Sequence, residues 1–432
     1  MIVASLPLLL GALLLVPQVA KAQNGTPPAS AVSSNILSLP QAIEKAAAAS
    51  PKLEAAASGI AAAAGSEQQA KLYPNPQGSL QVENFGGAGP FRGFSATETT
   101  AGVSQLIELG GKREARQSAA LAGRKTAEVD ATTARLDLGR DVTVAYSEAV
   151  AAQDGVSIAK ETEFAAKQVL DDVSRRVNAA RDPLFQRSKA EVAYSTSMVA
   201  RQTAEQTRTA ALQRLGRFWG AQTVNETLVD QTIAQPDRPQ PLDAYEVRLR
   251  AAPDFDRFQR LRELRAAELR LAEANAIPDV TATTGLRQTP GIGGVTFLAG
   301  VSVPIPIFNR NQGEISRAQA ELRKVDQERR QAEIERSQEL VNSWTSWQSA
   351  WQESNSIRSQ SLPQAESAYR QALAGYRSGA FEYLEVLDAQ RTFFEQRSNY
   401  IAALARLRTA RAQTERLAPA VQPANSETGS IQ

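Results

Sequence analysis

The chain has 432 residues, formal charge +2, 22% charged and 6% aromatic residues, and neither cysteine nor histidine. Its near-neutrality offers no basic excess for a nucleic-acid partner. With no Cys, no His and two Met, the sequence excludes disulfides, a Cys-borne lipid anchor, Cys- or His-based catalysis and tight transition-metal sites.

Leu6 to Val16 are apolar and end near Ala20-Lys21-Ala22. That is a small-x-small cleavage pattern, so residues 1–22 read as a signal peptide, although no Lys or Arg precedes the apolar run. The run is too short to span ~30 Å of hydrocarbon. No other segment reads as a transmembrane helix, so a membrane location requires a β-barrel.

Residues 23–36 are rich in Pro, Ser, Ala and Asn and are expected to be disordered or loosely draped. A helix is expected from Ser38 or Leu39, with Pro40 in its first turn. It is Ala-rich and runs to about Leu72, with a break near Ser50-Pro51. Tyr73-Pro74-Asn75-Pro76 stops it. Strands are predicted at 77–85 and 95–107, around a Gly-rich loop at 86–90. Gly102-Val103-Ser104 then leads through Gly110-Gly111 into a proline-free helix over 112–177. Such a helix would be ~100 Å long. After a break at Asn178 to Pro183, a second helix is expected from Leu184 to Phe218. Residues 220–241 read as a linker.

The pattern then repeats about two hundred residues on. Leu242 to Ala276 is helical, with Pro253 placed like Pro51. Strands are predicted at 280–288 and 295–303, around Pro290-Gly291-Ile292-Gly293-Gly294. Gly300-Val301-Ser302 opens a second hinge. There Pro304 and Pro306 hold the chain extended, because each fixes φ near −65° and disfavours helix in the residue before it. A second long, unbroken helix is expected over 314–377. A break at Ser378-Gly379-Ala380 leads to a helix from Phe381 to Leu417, and 418–432 is expected to be a disordered tail. The fold class is therefore mainly α with a small β part. It is built from a duplicated helix–strand–strand–long helix–helix unit, 23–219 and 242–417. Four strands cannot close a barrel; about eight is the usual minimum.

This order, over nearly the whole chain past residue 22, resembles the TolC family of outer-membrane efflux channels. Ser104 to Arg113 and Val303-Pro304-Ile305-Pro306-Ile307-Phe308-Asn309-Arg310-Asn311-Gln312-Gly313 resemble its CzcC-like heavy-metal efflux branch. Gly375-Tyr376-Arg377-Ser378-Gly379 and Glu385-Val386-Leu387-Asp388-Ala389-Gln390 resemble the family's periplasmic tip. The resemblance implies a homotrimer with a twelve-stranded barrel in outer-membrane lipid, continued by a helical tunnel through the periplasm. It also implies two partners, a periplasmic adaptor and an inner-membrane pump of the resistance-nodulation-division class. No cofactor is implied.

The resemblance places Tyr376, Arg377, Glu385 and Asp388 at the pore constriction. Glu385 and Asp388 are three apart and share a helix face; three chains would stack two carboxylate rings, which favour cations. Alternatively they are a solvated face, or surface ion pairs with Arg391 or Arg377. A gate arginine of the family falls at Phe381, so it is missing or replaced by Arg377. Arg181, Asp182 and Pro183, with Ser378 and Gly379, are expected at the tips that contact the adaptor; Arg181-Asp182-Pro183 reads equally as a plain turn. Trp344, Trp347 and Trp351 line one helix face and are expected in a core. On the strands, Leu80 and Val82, or Val295, Phe297, Ala299 and Val301, are expected to face lipid. Ser79, Gln81, Glu83, Thr296 and Ser302 are expected to face the lumen. The rival reading is a periplasmic coiled-coil adaptor or scaffold without a pore. No nucleophile–base or metal constellation points to an enzyme.

Overall fold

The computed structural model describes residues 36–229, 237–289 and 293–420. The expected signal peptide, residues 23–35, Pro290 to Ile292 and the tail from 421 lie outside the described residues.

A short strand β1 (Ile36–Leu37) precedes helices α1 (Leu39–Ala49) and α2 (Pro51–Ala70). Ser38 starts α1, its N–H donated to Oε1 of Gln41 at 3.0 Å. The expected break at Ser50-Pro51 separates the two helices. The Ser50 hydroxyl caps α2 by accepting from Leu53 N–H. Strands β2 (Gln77–Glu83) and β3 (Glu98–Ile107) follow, then α3 (Lys112–Asn178) and α4 (Leu184–Gly216). With 67 residues, α3 extends ~100 Å. Beyond a turn of 3-10 helix and strand β4 (Thr227–Leu228) come α5 (Leu242–Arg250) and α6 (Pro253–Ala274), β5 (Val280–Thr289) and β6 (Gly294–Ser302). Helices α7 (Gln312–Ser356), α8 (Leu362–Ser378) and α9 (Tyr383–Leu417) complete the order.

Four departures from the expectations have local causes. The second long helix is not unbroken. Pro363, within the expected 314–377 helix, has no N–H for the carbonyl of Ser359 and its ring crowds that oxygen. A turn of π-helix, Ile357–Ser361, widens the backbone just before it. The supposed linker 220–241 holds β4, which pairs in parallel with β1 (Ile36 opposite Thr227, Leu37 opposite Leu228). Ile36 is thus in a strand and not draped. At the other end, Ala418 is fully buried beside Leu417.

Both strand-to-helix hinges use left-handed residues. Gly110 and Gly111 have φ of 71° and 69°, a region that costs an L side chain roughly 1–2 kcal/mol. Ile277 and the carbonyl of Ala274 press so closely on Gly110 that a Cβ would clash. In the second hinge the Pro304 to Pro306 segment is exposed. The chain is not extended through Ile307 as expected, because Ile307 N–H turns back to the carbonyl of Ile305 at 2.9 Å, and the helix starts only after Asn311, at φ 62°. Asn311 donates its amide to the carbonyl of Ala272 at 2.7 Å, and its N–H to Oδ1 of Asn309 at 3.0 Å. An Asx turn, not the prolines, thus sets the helix start.

The four long strands form one open antiparallel sheet, in the order β2-β3-β5-β6. The register aligns Leu80, Ala101, Leu286 and Phe297 on one face, and Gln81, Thr100, Arg287 and Thr296 on the other. Alternation therefore sorts the sheet into an apolar and a polar side. Among the described residues the edges β2 and β6 have no partner.

The helices form a wall. Helix α3 packs against α2, α4, α6 and α9, with α7 against α9 and α6. Near mid-length, two apolar clusters hold a belt of short elements to this wall. One joins Leu37, Ala42 and Ala46 to Val142, Tyr146 and Leu215. The other joins Tyr245 and Leu249 to Leu340, Trp347 and Leu407, with Trp344 and Trp351 at its margin. Of the three tryptophans, Trp347 is a core side chain and Trp344 and Trp351 are half-buried against the same cluster. Among the described residues, no helix is long and apolar enough to cross a membrane.

Candidate functional site

The wall ends in two helical hairpins, α3–α4 and α8–α9. Both turns use the same end of helix. Arg181 N–H returns to the carbonyl of Arg176 and Ala180 N–H to that of Val177. In the second turn, Ala380 N–H returns to Gly375 and Gly379 N–H to Tyr376. These are paired Schellman bonds around a left-handed residue, Ala180 in one turn and Gly379 in the other. A shared core of Val169, Val173, Ala190, Tyr376, Tyr383 and Val386 joins the two hairpins.

The polar centre of the tip is Asp182. Its carboxylate receives Nε and Nη2 of Arg176 at 2.8 and 3.1 Å, and the Tyr376 hydroxyl at 2.8 Å. Arg176 also donates Nη1 to the Tyr376 carbonyl at 3.0 Å and lies over its ring. The Asp182 side chain is 8% exposed. The Arg176 hydrogen bonds, aided by the Tyr376 hydroxyl and the Arg176 charge, hold its carboxyl below the usual range despite burial. Burial pushes the Tyr376 phenol up, and the bond to Asp182 adds to this, so Tyr376 is a neutral donor at all ordinary pH. Arg176, raised through the same bond, stays charged. Three side chains thereby tie the α8–α9 hairpin to the α3–α4 turn.

This corrects two expectations. Tyr376 is 1% exposed, so it is a link in the tip core and does not itself line a passage. Asp182 points inward, so of the tip residues only Arg181, Pro183, Ser378 and Gly379 are free at the surface. Arg377 is exposed and pairs with Asp172 at 3.1 Å, which also meets Arg175. Glu385 and Asp388 lie on the exposed side of α9, away from buried Tyr383, Val386 and Gln390. Among the described residues they have no hydrogen-bond or ion-pair partner, so the expected surface pairs with Arg377 or Arg391 do not form in the single chain. Phe381 packs over Gly375 so closely that a Cβ there would overlap the ring.

Sequence reading missed Arg176 and Asp172. Asp182 lies past the helix end, so no helical spacing connects it to Arg176 (a charged residue on a charged helix). Among the described residues, no group of three or more acidic side chains is placed to hold a metal ion.

Residues 42–221 and 245–418 match the family model described as outer membrane efflux protein. The cobalt-zinc-cadmium resistance protein CzcC of Cupriavidus metallidurans is 28% identical over 405 residues, covering 92% of this chain and 95% of that protein. Among solved structures, CusC superposes with a TM-score of 0.73 at 17% identity, over 88% of this chain and 91% of that one. The outer membrane protein VceC of Vibrio cholerae gives 0.71 at 19% identity, over 88% and 95%. The chain belongs to the outer membrane efflux protein family, as a channel component of an efflux pump and not an enzyme, sited in the outer membrane with its helices in the periplasm.

Proposed function

We propose that three copies of this chain close a twelve-stranded barrel and a helical tunnel, through which metal cations leave the cell. The observation that carries this is the open four-stranded sheet. One face is apolar, the other polar, and the edges β2 and β6 have no partner among the described residues. A bilayer tolerates no unpaired strand edge, so β2 of one copy must meet β6 of the next. A pore-free scaffold would have no use for such a sheet. Metal cargo is supported by the relative at 28% identity, a cobalt-zinc-cadmium resistance protein, and by unpartnered Glu385 and Asp388 at the tip. On this reading the pump is of the resistance-nodulation-division class, and an adaptor docks on the exposed tips at Arg181, Pro183, Ser378 and Gly379. Light scattering of the detergent-extracted protein is expected to give the mass of three chains; a stable, soluble monomer would sink the barrel.

A further inference from the structure

The four long strands hold three charged side chains, Glu83, Glu98 and Arg287, and all three meet in one cluster. Glu83 lies directly opposite Glu98 across β2 and β3, an arrangement of like charges that weakens strand pairing. Arg287, reaching in from β5, offsets it. Its Nη2 lies 3.4 Å from Glu83 and its Nη1 3.4 Å from Glu98, while Nε donates to the Thr100 hydroxyl at 3.0 Å. The cluster thus carries one net negative charge.

Its position is defined by the sheet. The cluster is on the polar face, since Gln81, Thr100 and Arg287 are cross-strand neighbours. It lies at the strand ends remote from the helices, because Glu83 ends β2 and Glu98 begins β3, whereas Ile107 runs on towards α3. With the helices in the periplasm, that end opens to the cell exterior. The opposite face, with Leu80, Leu286 and Phe297, is the one fit for lipid, where a charge would be costly.

We propose that Glu83, Glu98 and Arg287 are the selectivity determinant of the channel's outer mouth, a charged ring that favours cations over anions. This rests on the trimeric barrel, which repeats the cluster three times around one lumen. Hydrated cations, divalent ones above all, are drawn to the opposed carboxylates. Arg287 limits the field, so that ions pass and do not lodge. Fields in a narrow passage with low-dielectric walls change local ion concentrations by about ten-fold or more.

The test is the reversal potential of the native trimer in planar bilayers under a potassium chloride gradient, against the double variant Glu83→Gln, Glu98→Gln. Glutamine keeps size and hydrogen bonding, and the exchange turns each cluster from one net negative to one net positive charge. The cation-over-anion permeability ratio is expected to fall about two-fold or more. The fall is expected to shrink between ~0.1 M and ~1 M salt, as the Debye length drops from ~10 to ~3 Å. A purely structural role would alter conductance or yield without that salt dependence. Arg287→Gln is expected to raise the ratio. If the native protein conducts and the double variant keeps its reversal potential, the inference is overturned and the barrel stands. If the native protein gives no conductance, the barrel reading falls, and this one with it.

Discussion

At the scale of single residues, the tip depends on one carboxylate with two donors. Tyr376→Phe removes the hydroxyl from Asp182 but leaves the ring in its core. A hydrogen bond to a charged group contributes about 1.5–3 kcal/mol. The expected outcome is a tip that opens more easily, seen as a higher resting conductance with unchanged assembly. The same site has a defined pH response. The Asp182 carboxyl is lowered in the folded state, so its contribution is complete above the ordinary aspartate value and is lost only as pH falls through the lowered one. Resting conductance should therefore stay flat from neutral pH to the ordinary carboxylate range and rise only in stronger acid; a rise already near pH ~6 would argue against Asp182 as the tie. Asp182→Asn should abolish this acid response. The partnership itself was not legible. Tyr376 and Asp182 lie 194 positions apart, and periodicity specifies which face of a helix is buried but not which helix meets it. Phe381 shows the same limit. The family resemblance puts an absent arginine at this position, and the packing of Phe381 on Gly375 follows from the turn between them, which no local pattern specifies.

At the scale of elements, much of the order was legible because helix and strand periods differ and Pro or Gly punctuates each change. Pro51 and Pro253 each open a helix, and Gly111 precedes the longest one. What failed were places where tertiary contacts decide. Strand β4 is two residues long and exists because β1 lies beside it; no pattern that short carries a period. The hinge at Asn311 illustrates a propensity that local chemistry overrides. Asn311→Gly should be milder than Asn311→Ala. Both lose the bond to Ala272, but alanine also carries the left-handed strain of about 1 kcal/mol or more. Melting of the trimer in detergent should rank native above Gly above Ala; an alanine variant as stable as native would remove Asn311 from the hinge. A second element-level prediction concerns the junction of α9, α6 and α3. Arg416, with a side chain 5% exposed, holds Asp254 at 2.6 Å and Asp137 at 2.8 Å. Removing one partner of a buried pair costs about 3–5 kcal/mol when the remaining charge is left uncompensated. Asp254→Ala leaves Arg416 with Asp137 alone, so the cost lies below that figure but above that of a surface pair. Asp254→Ala should therefore destabilise markedly, whereas an exposed pair such as Arg214–Glu148 should matter little when cut.

At the scale of the whole molecule, the chain is one segment of a wall. Among the described residues its sheet edges and its α9 carboxylates at the tip lack partners, and Phe381 and Leu384 beside them are half exposed. In the proposed trimer, copies of the chain complete this surface. If Glu385 and Asp388 face the axis of a closed tip, three chains put six carboxylates around a narrow passage. Like charges held close repel, and the lower effective dielectric of a confined site strengthens this over bulk water. The ring therefore pulls in counter-cations and pushes the tip towards opening, against the tie that Asp182, Arg176 and Tyr376 supply. Multivalent cations should lodge in it and block. Replacing Glu385 and Asp388 by alanine is expected to weaken block by a divalent cation added from the helical side, and to leave trimer mass and membrane insertion intact, since neither residue lies in a strand. The cation preference set by Glu83 and Glu98 at the strand end should be unaffected, so the two ends of the passage can be told apart in one preparation. Undiminished block in a correctly assembled double variant would mean that these two side chains only solvate an outer helix face.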